Sequence, residues 1–318
     1  MKRLVIFIYI FILFIVTSCG RVISLPQSNL KTRNLAVYDS KNSVYYFVDQ
    51  NWDINIWDVS NDLMETIIKG YKASFLTLEE GYLFFLSYND MAYYKASLPY
   101  VDVTKVIDLS SNWVLQVNSR VFYANGGLKY YDIEKEESGQ IKIPKEFADS
   151  LNINIPSYSD GNLIYQEPGF IKVVSLRGIT NTIPKVSQNA MIAGDMVFYE
   201  KDESDETNIF MAKLDDEHLI NETLLVEDAG LIAVNREHLL YTKREKGNLD
   251  LYQISLKENK TKELVCKNIP IRSFEEWIHP APQQQLVENF LFFRSRLNGQ
   301  VEQVAINLKT REINYLNK

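Results

Sequence analysis

Seven short phrases recur along this chain, and each has an aromatic residue in its third position with an apolar residue two places earlier. They are Val44-Tyr45-Tyr46, Leu83-Phe84-Phe85, Val121-Phe122-Tyr123, Leu163-Ile164-Tyr165, Met196-Val197-Phe198, Leu239-Leu240-Tyr241 and Phe290-Leu291-Phe292. Successive aromatic anchors are 33 to 51 residues apart, with a mean of 41. Self-similarity at such a period indicates a repeat architecture, so it constrains the fold of nearly the whole chain.

Each anchor is followed by a polar or glycine-containing break and then by a second strand-like run. Tyr252-Gln253-Ile254-Ser255-Leu256 alternates apolar with polar residues, as strands do when one face is buried. This alternation excludes helical solenoid repeats of similar length. Turn residues stand between anchor and second run, where glycine supplies a positive φ, at Asn125-Gly126-Gly127, Glu167-Pro168-Gly169, Lys246-Gly247-Asn248 and Asn298-Gly299.

A period of about 41 residues matches a four-stranded propeller blade. The sequence therefore predicts an all-β protein, a β-propeller of seven antiparallel blades, in which the anchor is the second strand and its partner run is the third. The blades are predicted at residues 34–70, 71–109, 110–153, 154–186, 187–228, 229–269 and 270–318, with a short helix at 144–152. Six or eight blades remain open, since residues 21–33 could add an outer strand, and a β-sandwich is the alternative fold.

The repeats also resemble a known group of propellers. Gly161-Asn162-Leu163-Ile164-Tyr165 and Leu251-Tyr252-Gln253-Ile254-Ser255-Leu256 are similar to the paired strands of TolB-like blades, which are common in bacterial extracytoplasmic proteins. The resemblance covers about residues 34–318. Its motifs specify blade packing and imply no chemistry, because propellers host many unrelated activities.

The N-terminus is the second informative segment. Lys2 and Arg3 precede an apolar run from Leu4 to Val16, which is typical of a secretory signal and short for a membrane span. Val16-Thr17-Ser18-Cys19 resembles the bacterial lipobox, whose cysteine is acylated and becomes the new N-terminus. The resemblance implies a signal peptide at 1–18, a lipidated tether at 19–33 and a propeller domain at 34–318, held in the bacterial cell envelope. A plain signal or an uncleaved anchor is the alternative.

Charge and cysteine content narrow the possible partners. Removal of residues 1–18 leaves 32 Lys and Arg against 41 Asp and Glu, a formal charge of −9. This balance opposes binding to nucleic acid and to anionic lipid head groups. With Cys19 acylated, Cys266 has no partner for a disulfide, and its apolar neighbours predict a small buried side chain.

Exposed aromatic residues are the best candidates for a binding face. Trp52 and Tyr88 fall in loops between second and third strands, where aromatic side chains can stack on sugars or anchor a partner protein. Trp113 and Trp277 fall near the starts of first strands and are predicted to approach the same face. The alternative for Trp113 and Trp277 is packing between blades, as expected of Trp57.

Catalytic and metal motifs are missing from the sequence. The acidic run Asp202-Glu203-Ser204-Asp205-Glu206 lacks a calcium-loop pattern and is expected to be a solvated hairpin tip. Glu275, Glu276, Trp277 and His279 lie close together, but adjacent strand residues point to opposite faces, so an irregular loop is expected there. Neither a nucleophile elbow nor a phosphate-binding loop is found, and no cofactor or metal is predicted.

These observations favour a non-enzymatic binding or scaffold module that is anchored to a membrane and presents one face to an envelope protein or surface glycan. A folding or assembly factor for envelope proteins is a special case of this function. The alternative is a propeller enzyme that acts on extracellular polysaccharide or peptide. The sequence does not separate them.

Overall fold

A computed structural model describes residues 34–99, 101–184, 189–203, 206–215, 218–245, 248–257, 261–269, 284–297 and 300–316. Its strands form seven four-stranded antiparallel sheets, each built from four consecutive strands. The prediction of an all-β, seven-bladed propeller is thereby confirmed, and the sandwich and the other blade numbers are wrong.

Each blade contributes four strands in chain order. They are β1 (Ala36–Asp39), β2 (Val44–Val48), β3 (Ile54–Asp58) and β4 (Leu63–Ile68); β5 (Ala73–Glu79), β6 (Tyr82–Ser87), β7 (Ala92–Ser97) and β8 (Asp102–Asp108); β9 (Val114–Val117), β10 (Arg120–Ala124), β11 (Leu128–Asp132) and β12 (Glu137–Ile141); β13 (Ser157–Ser159), β14 (Asn162–Glu167), β15 (Phe170–Ser175) and β16 (Thr180–Pro184); β17 (Ala190–Ala193), β18 (Met196–Glu203), β19 (Glu206–Asp215) and β20 (His218–Val226); β21 (Gly230–Val234), β22 (His238–Glu245), β23 (Asn248–Ser255) and β24 (Lys262–Cys266); β25 (Gln284–Val287), β26 (Phe290–Leu297), β27 (Gln300–Asn307) and β28 (Ile313–Tyr315).

Every predicted anchor is in the second strand of its blade, and every predicted partner run is in the third. The second and third strands of blades 5, 6 and 7 are long, with 8 to 10 residues each, and they remain paired beyond the anchor and its partner run. Pairing extends to Glu203 with Glu206 and to Glu245 with Asn248. Main-chain hydrogen bonding continues there although the side chains are polar, so Asp202, Glu203 and Glu206 of the acidic run lie in β18 and β19.

The first strands lie around the central axis, where β1 is next to both β5 and β25 and β13 is next to β17. We call the side formed by the hairpins between second and third strands, together with the connections between blades, the upper face. The opposite side, formed by the hairpins between first and second and between third and fourth strands, is the lower face. The position of each candidate residue is described below by the face on which it lies.

The aromatic anchors form part of the core. Tyr46, Phe85, Tyr123, Tyr165, Phe198, Tyr241 and Phe292 are all buried. The core is divided into clusters that each join neighbouring blades; in one of them Phe292 of blade 7 packs against Tyr45 and Trp57 of blade 1. The predicted burial of Trp57 between blades is confirmed. Each buried aromatic ring contributes about 2 kcal/mol or more through the apolar area removed from water.

Blade 1 is built entirely from β1–β4 and blade 7 entirely from β25–β28, so neither blade borrows a strand from the other. The contact between these two blades, which closes the ring, is therefore made by side chains. The buried side chain of Gln285 in β25 supplies the polar part of this closure. Its Oε1 accepts from the Ala36 amide at 2.8 Å, and its Nε2 donates to the Ala36 carbonyl at 2.9 Å and to Asn34 Oδ1 at 3.4 Å. Gln285 thus pairs with the backbone of β1 as a further strand would.

The described helix, α1 (Lys145–Leu151), connects blade 3 to blade 4, as the sequence predicts. It begins after Pro144, which has no N–H to leave unpaired. Phe147 and Leu151 are buried against the cluster shared by blades 2, 3 and 4. The helix therefore covers the core of these blades on the upper face.

Candidate functional site

Trp52 and Tyr88 lie on the upper face, in the hairpins between second and third strands of blades 1 and 2, as predicted. Both side chains are half-buried, and their rings meet edge to face with centroids 6.3 Å apart and planes at 83°. Together with Arg294 and Asn112, which contact them from blade 7 and from the connection to blade 3, they form what we call the Trp52–Tyr88 surface.

The hairpin that carries Trp52 is fixed by Asp49. One oxygen of its carboxylate accepts from the amides of Asn51 at 2.8 Å and Asp53 at 3.0 Å, and its carbonyl accepts from the Trp52 amide at 3.1 Å. Aspartate is suited to such turns because its short side chain can bond to the backbone two residues further on. The Trp52 carbonyl in turn accepts from the Ala73 amide at 2.9 Å, which attaches the hairpin to blade 2.

Trp52 has a left-handed backbone conformation, with φ of 66°. A bulky residue at such a position costs about 1–3 kcal/mol, and it persists only where the surrounding contacts determine the conformation. Other non-glycine residues of the described chain, among them the buried Phe75, also have a positive φ. The conformation therefore fixes how the Trp52 ring is presented, and the contacts of the ring indicate its role.

Arg294 in β26 supports the Trp52 ring from blade 7. Its guanidinium carbon lies 4.0 Å from the ring centroid, one of its nitrogens donates to the Asp49 carbonyl, and Nε donates to Gln303 Oε1 at 3.2 Å. Because Arg294 is buried, this cation–π contact belongs to the stronger class of about 2 kcal/mol. Trp52 is held between Arg294 and Tyr88, with part of its ring open to solvent.

Tyr88 extends the surface toward blade 3. Its hydroxyl donates to the Asn112 carbonyl at 3.0 Å, and the Asn112 amide group donates to the Asn152 carbonyl at 3.1 Å. The Asn152 side chain accepts from the Gly126 amide at 3.2 Å. Hydrogen bonds and ring contacts therefore connect blades 7, 1, 2 and 3 along the upper face, and they place two amphipathic aromatic rings on a rigid support.

The carboxylates beside this surface have structural partners. Asp53 accepts from the Gly70 amide at 2.9 Å, and Asp90 accepts from the Tyr94 hydroxyl. Burial acts to raise the pKa of Asp90, but hydrogen bonds from Ser87 and Tyr94 and the charge of Lys105 outweigh it, so this pKa lies below its usual range. The hydrogen bond to Asp90, reinforced by burial, raises the pKa of Tyr94. These groups are arranged to hold loops together.

The prediction that Trp113 lines the same face is wrong. Trp113 immediately precedes β9, close to the upper face, but its side chain has no exposed area. The indole fills the space among blades 2, 3 and 4, and its N–H donates to the Leu151 carbonyl of α1 at 2.8 Å. Packing between blades, the alternative considered for Trp113, describes it correctly.

Two other predicted positions, Trp277 and Cys19, lie outside the described residues. Two contributors to the surface, Asn112 and Arg294, were not singled out from the sequence. The sequence signal for Arg294 is a positive charge directly after the apolar run of β26, where the side chain is buried although the residue type predicts exposure.

Cys266 and the acidic residues complete the set of candidate groups. Burial raises the pKa of the Cys266 thiol, which is half-buried beside the cluster of blades 6 and 7. Within the described ranges, acidic, histidine and cysteine side chains form no group suited to a metal ion. No helix in the part of the chain that the structure describes is long and apolar enough to cross a membrane.

Comparison with known proteins shows similarity of fold, without a matching family or a curated protein of similar sequence. No family model matches the chain, and no curated protein has a significantly similar sequence. An oligogalacturonate lyase in complex with manganese shares the fold with a TM-score of 0.59 and 12% identity over 86% of this chain and 88% of the other. An uncharacterized protein of Listeria monocytogenes has a TM-score of 0.51 and 12% identity over 88% and 89% of the two chains.

A putative TolB from Agrobacterium tumefaciens is also similar, with a TM-score of 0.41 and 11% identity over 60% of this chain and 69% of the other. At sequence identities of 11–12%, similarity to these structures defines the fold of this chain and does not indicate its activity. The protein is a seven-bladed β-propeller whose upper face holds the Trp52–Tyr88 surface.

Proposed function

We propose that this protein is a lipid-anchored, extracytoplasmic propeller of the TolB-like kind that binds an envelope protein or surface glycan through the Trp52–Tyr88 surface. The observation that carries the proposal is the placement of Trp52, a half-buried aromatic residue held on the upper face between Arg294 and Tyr88. Rigid aromatic and arginine side chains are typical anchors of binding interfaces. The lipobox resemblance at Cys19 supplies the anchor.

A binding role is favoured over hydrolysis by the state of the nearby carboxylates. Glycoside hydrolysis requires two carboxyl groups that are free to act on the substrate. Asp49, Asp53 and Asp90 instead accept hydrogen bonds that fix the hairpins of blades 1 and 2 and the connection between them. Their removal would release the loops, so their role at this surface is structural.

The first test compares aromatic residues on the two faces. The acylated protein with Trp52→Ala and Tyr88→Ala should retain less than about a tenth of the envelope material that the unmodified protein captures, since interface anchors contribute about 2 kcal/mol or more each. Tyr82→Ala is the matched control, because Tyr82 is an exposed aromatic residue at the lower end of the same blade as Tyr88. Capture is measured from detergent-solubilised envelopes.

Equal capture by all three proteins would show that the upper-face aromatics are not the binding surface. Equal loss in the Tyr82→Ala variant would contradict the assignment to one face. Treatment of the captured material with protease or with glycan-degrading enzymes then separates a protein partner from a glycan.

The proposed anchor has its own test. Cys19→Ser should abolish acylation, leaving the protein either soluble or unprocessed, because stable attachment of such a protein requires its acyl chains. Intact mass and flotation with membranes measure the result. A variant that keeps the wild-type mass and still floats with membranes would contradict lipidation at Cys19.

A further inference from the structure

The described chain begins on the upper face, at the central axis. Asn34 and Leu35 precede β1, and the Leu35 carbonyl accepts from the amide of Val48, the residue at the upper end of β2. Asn34 is buried between neighbouring first strands: its carbonyl accepts from the Leu76 amide at 2.8 Å, and its side chain accepts from Gln285. The preceding segment is therefore attached where the central axis meets the upper face.

We propose that the upper face, with the Trp52–Tyr88 surface, is turned toward the membrane, and that its partner is a protein embedded in that same membrane. The inference rests on the proposed acylation of Cys19. It adds an orientation and a partner class that the lipid anchor alone does not give.

Chain length supports the orientation. The fourteen residues 20–33 reach at most about 50 Å even when fully extended. A compact domain of this size has a radius of roughly 25 Å. To bring the lower face to the bilayer, the segment would have to cross the upper face from its centre to the rim and then descend along a blade. That path is about as long as the fully extended segment. The upper face is much more easily placed beside the membrane.

The charge of the domain argues that a protein, and not the lipid surface itself, occupies the Trp52–Tyr88 surface. The mature chain carries 32 Lys and Arg against 41 Asp and Glu, and Asp49, Asp53 and Asp90 border the two aromatic rings. Lys105 pairs with Asp90 and Arg294 packs on Trp52, so it is the net charge of the domain that disfavours anionic head groups. A membrane protein that presents apolar and basic side chains just above the bilayer complements two aromatic rings on a domain of this charge.

The orientation is measured with two labels at opposite ends of blade 1. Gln50→Cys places a fluorophore in the upper hairpin, and Lys41→Cys places one in the lower hairpin; both positions are exposed. Each is made in the full-length acylated protein with Cys266→Ser, so that the new thiol is the only one labelled. The proteins are reconstituted on phosphatidylcholine vesicles that contain a head-group quencher.

The upper label is expected to be quenched at least about twofold more than the lower one, because β2 alone separates the two hairpins by roughly 17 Å. Equal quenching on vesicles that carry the protein would overturn the orientation while leaving lipidation intact. Failure of the protein to float with the vesicles would instead overturn the anchor, and with it this inference.

The same two cysteine variants test, in intact cells, whether the partner is a membrane-embedded protein. A photo-crosslinker on Gln50→Cys should yield a product that resists alkaline extraction from membranes, whereas Lys41→Cys should not. Products that contain only soluble proteins or glycan, the same product from both positions, or no product would contradict an embedded protein partner. Crosslinking to lipid alone would assign the surface to head groups instead.

Discussion

Gln285→Met should lower the free energy of unfolding by about 3 kcal/mol, although methionine has nearly the same size as glutamine. The side chain of Gln285 pairs with both the N–H and the carbonyl of Ala36 in the buried contact between blade 7 and blade 1. Methionine would leave both backbone groups unpaired and out of contact with water. Each such group costs about 1–3 kcal/mol.

Gln284→Met provides the matched control. Gln284 is the preceding residue in β25 and is equally buried, but its Nε2 has no hydrogen-bond partner among the described residues. Its replacement should change stability by less than about 1 kcal/mol or increase it, because an unpaired buried polar group is removed. Urea denaturation of both variants measures the difference, and equal losses would show that Gln285 does not close the ring.

Comparison of these two glutamines shows where sequence reasoning stops. The repeat located every anchor strand and every partner strand, because an aromatic anchor, a polar or glycine-containing break and a second strand-like run recur in all seven blades. The run Gln283-Gln284-Gln285 lies in the least regular interval, and its composition does not indicate which amide faces blade 1. Which glutamine side chain faces blade 1 depends on the register of β25 against β26, in which Gln285 pairs with Phe292.

The candidate site was predictable in part for a similar reason. Trp52 and Tyr88 could be placed in upper-face loops because hairpin positions follow from the repeat. Their contact with each other, and with Arg294 from the opposite end of the chain, depends on closing the ring from blade 7 to blade 1. The prediction for Trp113 was wrong because a position just before a first strand fixes the height of the residue in the blade but not the direction of its side chain.

The buried position of Trp113 leads to the second large effect. Trp113→Ala should lower the free energy of unfolding by about 3–5 kcal/mol, the usual cost of truncating a buried tryptophan. The indole has no exposed area, packs in the cluster that joins blades 2, 3 and 4, and donates to the Leu151 carbonyl at the end of α1. Its loss also frees α1 from the upper face, so limited proteolysis near residues 145–152 should accelerate.

Trp113→Phe separates the contribution of ring packing to stability from that of the hydrogen bond to Leu151. It also tests whether Trp113 belongs to the core or to the binding face. It keeps most of the buried area and loses the bond to Leu151, so a loss of about 1–2 kcal/mol is expected. Capture of envelope material should remain as in the unmodified protein, whereas Trp52→Ala should weaken capture even under conditions in which the variant is fully folded. If Trp113→Phe weakened capture as Trp52→Ala does while the fold stayed intact, Trp113 would belong to the binding face as the sequence predicts.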